Sequence, residues 1–255
     1  MKLNTALALT LSVSAYSQWM SYPNPGVPRS ADGKLNLAAP APKSAWGTPE
    51  LSGVWLPENQ NFFQDLAAGL KPEDVPFQPL ARALQKQRED NLHADDPLAR
   101  CLPHGVPRIN TNAMYPFKIV QTPTLIVILY EQLSQFRQVF MDGRKLGPDP
   151  NPSWLGYSTG RFEGDTLVIE TSGFNDKTWL DTGKGRPASD ALHVEEHFRR
   201  TNFGMLEIWS TITDPKSYTK PWTTLRQKNH LQLETDLLEF ICNENEKDLP
   251  HMVGK

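Results

Sequence analysis

Between His193 and Arg200 the chain alternates so that ionisable groups fall on both faces of one extended segment. Val194, Glu196, Phe198 and Arg200 share one face; His193, Glu195, His197 and Arg199 share the other. The apolar pair marks the first face as inward, which sets Glu196 between Val194 and Phe198 inside a wall. A carboxylate there must be paired, or must hold its proton and serve as an acid or base. Arg137 shares a face with Val139 and Met141 and is the natural partner. The pair is either a carboxylate–guanidinium site in a cavity or a structural ion pair plugging a barrel end. Glu170, read on the Thr166–Val168 face, adds a second candidate carboxylate, and Glu239 a third. Two carboxylates facing one cavity would suit glycoside-type or lyase-type acid/base work.

The outward set has the residue types of a metal site but not the spacing. Strand rise separates His193 and His197 by about 13 Å, too far for shared ligation, so a solvated face is expected and no metal. His104, His230 and His251 show no partner pattern. The loop Gly173–Asp181 combines aromatics, an amide and acids, and loops on a rigid scaffold often carry recognition. Asn175 and Trp179 from that loop, Tyr218 and Trp222 from the Asp214–Trp222 segment, and inward Arg200 are the ligand-binding candidates. Packing of a hairpin end is the other reading of Tyr218 and Trp222. There is no phosphate-cradling loop or dinucleotide fingerprint, and no cofactor is expected. Ser158, between Gly156 and Gly160, precedes a strand rather than a helix, so it is no nucleophile elbow.

The elements that must position these groups are mostly strands. Leu51–Trp55 begins ordered chain; a helix follows Gln78-Pro79, with Leu80, Ala83 and Leu84 as its apolar stripe. Asp95-Asp96-Pro97 reads as a second helix start. Strands are then expected over Ile119–Tyr130, Gln135–Met141, both arms of the Glu163-Gly164-Asp165 turn, His193–Arg200, Met205–Ile212, Thr223–Gln232 and Leu237–Asn243. About eight strands with short polar turns predict a mainly β fold, an antiparallel up-and-down barrel behind a short helical prelude.

The formal net charge is only −3, with 26 basic and 29 acidic residues, which argues against nucleic acid and anionic membrane surfaces as partners. Met1-Lys2, apolar Ala6–Val13 and small Ala15 and Ser17 form the pattern of a cleaved leader over residues 1–17, against a disordered cytosolic tail. A Pro- and Ala-rich flexible lead-in over 18–47 and a single barrel domain over 48–255 follow, with no later stretch long enough to span a membrane. The address is thus periplasmic or secreted. In an oxidising compartment Cys101 and Cys242 form a natural disulfide; two buried free thiols are the competing reading, and Cys101 near His104 leaves room for a reactive site.

Gly53-Val54-Trp55 opening a long meander resembles the calycin plan of lipocalins. The whole 48–255 region is similar to a group of secreted, largely uncharacterised bacterial proteins. The likeness is carried by Asp96-Pro97, Cys101-Leu102-Pro103, Gly105-Val106-Pro107-Arg108, Met141-Asp142-Gly143-Arg144, Gly156-Tyr157-Ser158, Glu163-Gly164-Asp165-Thr166, Gly173-Phe174-Asn175-Asp176, Trp179-Leu180-Asp181, Lys220-Pro221-Trp222 and Cys242-Asn243-Glu244. The resemblance implies export and a barrel, and brings no reaction with it. Where relatives often carry a His after Gly185, this chain has Pro187-Ala188-Ser189-Asp190. Two functions fit: a barrel taking up a small organic molecule in its cavity, or an enzyme (hydrolase, lyase or isomerase) on the same scaffold. The enzyme would use Glu196 as acid/base, Arg137 as clamp and Glu170 or Asn175 assisting. Fold alone does not choose between them, and oligomeric state is not legible.

Overall fold

The computed structural model describes residues 26–147, 150–244 and 247; the expected leader over residues 1–17 lies outside them. Ten strands form one sheet: β1 Gly53–Pro57, β2 Phe117–Gln121, β3 Leu125–Tyr130, β4 Gln135–Phe140, β5 Tyr157–Glu163, β6 Thr166–Ser172, β7 His193–Asn202, β8 Met205–Thr213, β9 Trp222–Thr223 and β10 Gln227–Gln232. Order around the sheet is β10-β1-β2-β3-β4-β5-β6-β7-β8, and β10 also pairs with β8, so nine strands close a barrel. β9 lies on the same edge of β8 as β10, opposite Thr211 and Ile212, while β10 takes Met205–Ile208.

The barrel departs from the expected plan in four places. Ile119–Tyr130 is a hairpin and not one strand, because Thr122 Oγ1 and N–H pair with Leu125 to turn the chain. Thr223–Gln232 is broken into β9 and β10. Leu237–Asn243 forms no strand; it runs outside the wall, held by Lys118–Asp236 at 2.6 Å and Leu238 N–H to Glu131 at 2.8 Å. Finally β4 and β5 pair in parallel, Val139 opposite Ser158, so the barrel is mixed rather than purely antiparallel. A parallel pair needs a connection that returns to the starting end, and residues 141–156 make that return.

Side-chain alternation fills the lumen. Trp55, Phe117, Ile119, Ile126, Ile128, Val139, Leu167, Ile169, Val194, Phe198 and Leu206 are each at most 1% exposed and belong to one cluster. Burying each such side chain contributes about 1.5–3 kcal/mol. Strand directions define two ends. At one, residues 26–50 strap the wall: Leu37 and Ala39 carbonyls accept from Gly204 and Phe203 N–H at 2.8 Å. At the other, the 3-10 turn Arg108–Asn110 plugs the barrel, flanked by the single turn α1 (Asn61–Gln64) and by α2 (Pro79–Asp90). α2 turns its expected apolar stripe outward: Leu80 is 85% exposed, whereas Ala81 and Gln85 are buried. Gln85 is drawn inward because its amide donates to the Lys184 carbonyl at 3.2 Å. Asp96 opens a 3-10 turn, Pro97–Arg100, with its carboxylate accepting from Leu98 N–H. Cys101 and Cys242 are disulfide-bonded, tying the plug end to the segment after β10 rather than to a last strand.

Candidate functional site

Glu196 and Arg137 meet inside the barrel as their strand faces require. Both are at most 3% exposed, and Arg137 Nη2 donates to Glu196 Oε2. The other carboxylate oxygen accepts from Asn110 Nδ2 at 2.6 Å. Asn110 Oδ1 in turn accepts from Tyr130 OH at 2.8 Å, and its carbonyl from Gln227 Nε2 at 2.8 Å, so the plug is bolted to β3, β7 and β10. Arg137 also donates to Ser158 Oγ at 2.9 Å and Thr171 Oγ1 at 2.6 Å. Burial works against the Arg137 charge, yet Glu196 and Tyr130 hold its pKa above the ordinary guanidinium value; burial raises Tyr130. Every oxygen of Glu196 is thus engaged by a fixed donor, with apolar side chains above and below.

Glu170 does not join this network. In β6 the inward positions are Leu167, Ile169 and Thr171, and Glu170 lies opposite Glu195 on the outer face. It pairs there with Arg161 at 2.5 Å and stands 3.8 Å from His193. The parity reading failed because Val168 is apolar yet outward-facing, in register with His197, whose ring stacks on Trp209 at 4.8 Å. Two carboxylates therefore do not face one cavity. His197 contacts Glu195 at 3.0 Å on the same outer face, and Glu239 is exposed.

The remaining candidates divide between the two ends. Trp179, Tyr218 and Trp222 gather at the plug end: Tyr218 and Trp222 pack edge to face at 5.6 Å, Tyr218 OH donates to Pro187 O at 3.0 Å, and Trp179 bridges to Pro187. All three are at most 4% exposed. Asn175 stands apart, its side chain accepting from Lys177 N–H at 3.1 Å. Around these aromatics lies an ionic layer that strand parity could not reveal. Arg108 holds Asp96 with two bonds of 2.9 and 2.6 Å and reaches Thr182. Burial alone would raise Asp96, but Arg108, Thr182 and the Leu98 N–H keep it below the usual carboxylate value. Arg186 bridges Asp65 and Asp181. His104 is fully buried with neither ring nitrogen partnered among the described residues, and burial pushes its pKa down to about 3. No strand or helix period points to Asp96, Arg108 or Asp181 as members of one layer, because they come from turns and loops far apart in the chain.

Arg200 sits at the strapped end. Its guanidinium lies 5.0 Å from the Trp55 ring and 4.8 Å from that of Phe203, and donates to Phe203 O and Glu50 O. Two adjoining clefts open beside it, of about 530 and 350 Å³, sharing Arg200 and Pro42. The larger is walled by Pro40, Ala41, Pro42 and Pro49 of the strap on one side and Arg199, Arg226 and Glu207 of the barrel on the other.

No family model matches this chain, and no curated protein matches it.

Proposed function

We propose that this chain is an exported barrel protein that binds a small organic molecule, and that the molecule sits in the divided cleft around Arg200 rather than in the lumen. The carrying observation is that cleft. Its larger half, about 530 Å³, is in the size range of small-molecule sites. It sets a short apolar wall of prolines and Ala41 against a mostly charged barrel side, Lys43, Arg199, Arg200 and Arg226 with Asp165 and Glu207, so that an apolar face and charged groups meet in one cleft. The lumen, by contrast, is occupied by its own side chains. In this reading Glu196 and Arg137 hold the barrel's shape and perform no chemistry, and the aromatics at the plug end pack that end closed. Export is supported by the leader-like first 17 residues and by the Cys101–Cys242 bond, since disulfides persist in oxidising compartments. Among the described residues no helix is long and apolar enough to cross a membrane.

The test is a fluorescence titration with a charged and an uncharged anilinonaphthalene-type dye. At least one should bind saturably, and Ala41→Trp, which fills the larger cleft, should abolish that binding without lowering stability. Saturable binding untouched by Ala41→Trp overturns the reading, as does the absence of saturable binding by either dye. Export is tested separately, by sequencing the N-terminus of envelope material: an uncut Met1 refutes cleavage before Gln18.

A further inference from the structure

We infer that the molecule taken up is an organic anion with a flat apolar body, and that Arg200 supplies its countercharge; this rests on the cleft reading above. Among the described residues four arginines are buried: Arg108, Arg137, Arg186 and Arg200. Three carry a carboxylate partner, Asp96 for Arg108, Glu196 for Arg137, and Asp65 with Asp181 for Arg186. Arg200 is the exception among these four. Half-buried Arg88 also lacks an ion pair among the described residues, but it donates to the Gly185 carbonyl and is covered by the Trp179 ring rather than lining a cleft. At 5% exposure Arg200 makes no ion pair among the described residues; Nε and Nη2 donate to the Phe203 carbonyl and Nη1 to the Glu50 carbonyl. The Glu50 carboxylate is turned to Ser52 N–H at 2.8 Å and offsets the charge only from a distance. Burial pushes Arg200 down to about 10, the cost of a guanidinium held out of water without a counterion.

A guanidinium has five N–H bonds; the three donations above leave two uncommitted, and Arg200 lines both clefts. The rim repeats the sign. Lys43, Arg199 and Arg226 line the larger cleft against Asp165 and Glu207, and Glu207 is already paired with Arg226 at 2.9 Å. An anion entering here would gain charge-assisted hydrogen bonds from Arg200, whose fork of donors suits oxyanions that accept through two oxygens better than an ammonium would. The proline wall opposite, with Phe203 in the adjoining cleft, has no use for an inorganic ion but suits a flat hydrocarbon face. The chemistry therefore selects a carboxylate, sulfonate or phosphate ester on an aromatic or ring body.

The probes are anilinonaphthalene sulfonate and uncharged N-phenylnaphthylamine, titrated into the full exported chain. The sulfonate should bind about tenfold more tightly or better, and weaken with added salt. The rim double variant Lys43→Glu/Arg199→Glu should weaken the sulfonate about tenfold and leave the uncharged dye within about twofold. Arg200→Lys should weaken the sulfonate as well. Because Arg200 packs on Trp55, that variant can lose its fold, and the exposed rim variant then carries the test. Equal affinities for the two dyes, both abolished by Ala41→Trp, overturn the anion inference and leave the cleft reading standing. Sulfonate binding indifferent to the rim charges overturns the inference too. Binding of either dye that Ala41→Trp does not change removes the cleft reading and this inference with it.

Discussion

Glu196→Gln alters one charge in the barrel while keeping the shape of the side chain. Arg137 would remain 3% exposed with its charge intact, and its other partners, Ser158 and Thr171, are neutral hydroxyls. Both oxygens of Glu196 now accept, one from Asn110 and one from Arg137. An amide offers one acceptor and sets its own N–H groups against the other donor. Removing one member of a buried ion pair in this way costs about 3–5 kcal/mol, a large share of the roughly 5–15 kcal/mol that a domain has. Urea unfolding followed by tryptophan fluorescence, with the disulfide intact in both proteins, measures it as a drop in midpoint at constant slope. The double variant Glu196→Leu/Arg137→Met should lose less than Glu196→Gln, since no charge is left stranded. A loss under about 1 kcal/mol in Glu196→Gln, or a double variant worse than the single, would refute the view that this pair bolts the plug to the wall.

His104→Phe tests the pH dependence. With the folded imidazole pushed down to about 3 from an ordinary 6.5, the unfolded chain binds a proton in that window that the folded chain does not. Wild-type stability should thus fall as pH drops from 6.5, by up to about 1.4 kcal/mol per unit. The variant should escape this, so that wild type loses about 2–3 kcal/mol against it between roughly pH 7 and 4.5; parallel curves would sink the idea. Reducing Cys101–Cys242, which are 141 residues apart, should lower stability by about 4–5 kcal/mol on the chain-entropy view, and coincident urea midpoints with and without reductant would contradict it. Leu80→Glu should change stability by no more than about 0.5 kcal/mol, because Leu80 is 85% exposed; a larger loss would mean that something covers that face of α2.

What could be read from the sequence follows from how local each signal is. Period-two alternation on β7 and β4 named Glu196 and Arg137 and their inward direction, because a strand face needs only its own residues to define it. The same rule failed at Glu170, since Val168 is buried from outside by its neighbours and looks inward on apolarity alone. The helical period misled at α2, where Ala81 and Gln85 and not the expected stripe of Leu80, Ala83 and Leu84 face the protein. Asn110, which completes the Glu196 site, comes from a 3-10 turn far along the chain, and no strand pattern points to it. The parallel β4–β5 contact depends on where residues 141–156 lead, which local composition does not encode. Arg200 was legible as an inward arginine, but its lack of a carboxylate emerges only when the buried arginines are compared side by side.

The strand that closes the ring is β10, wedged between β1 and β8 with Trp55 opposite Leu231 and Ile208 opposite Gln227. Until residues 227–232 are in place, β1 and β8 each carry an open row of backbone donors and acceptors beside an apolar face. The β8 side of that closure is local, since β10 follows β8 closely in the chain, but the β1 side joins opposite ends of the barrel sequence, and a long loop must close before those contacts reward it. A chain that stops short of Gln227 would therefore keep two adhesive margins, free to extend a neighbour's sheet instead of closing its own.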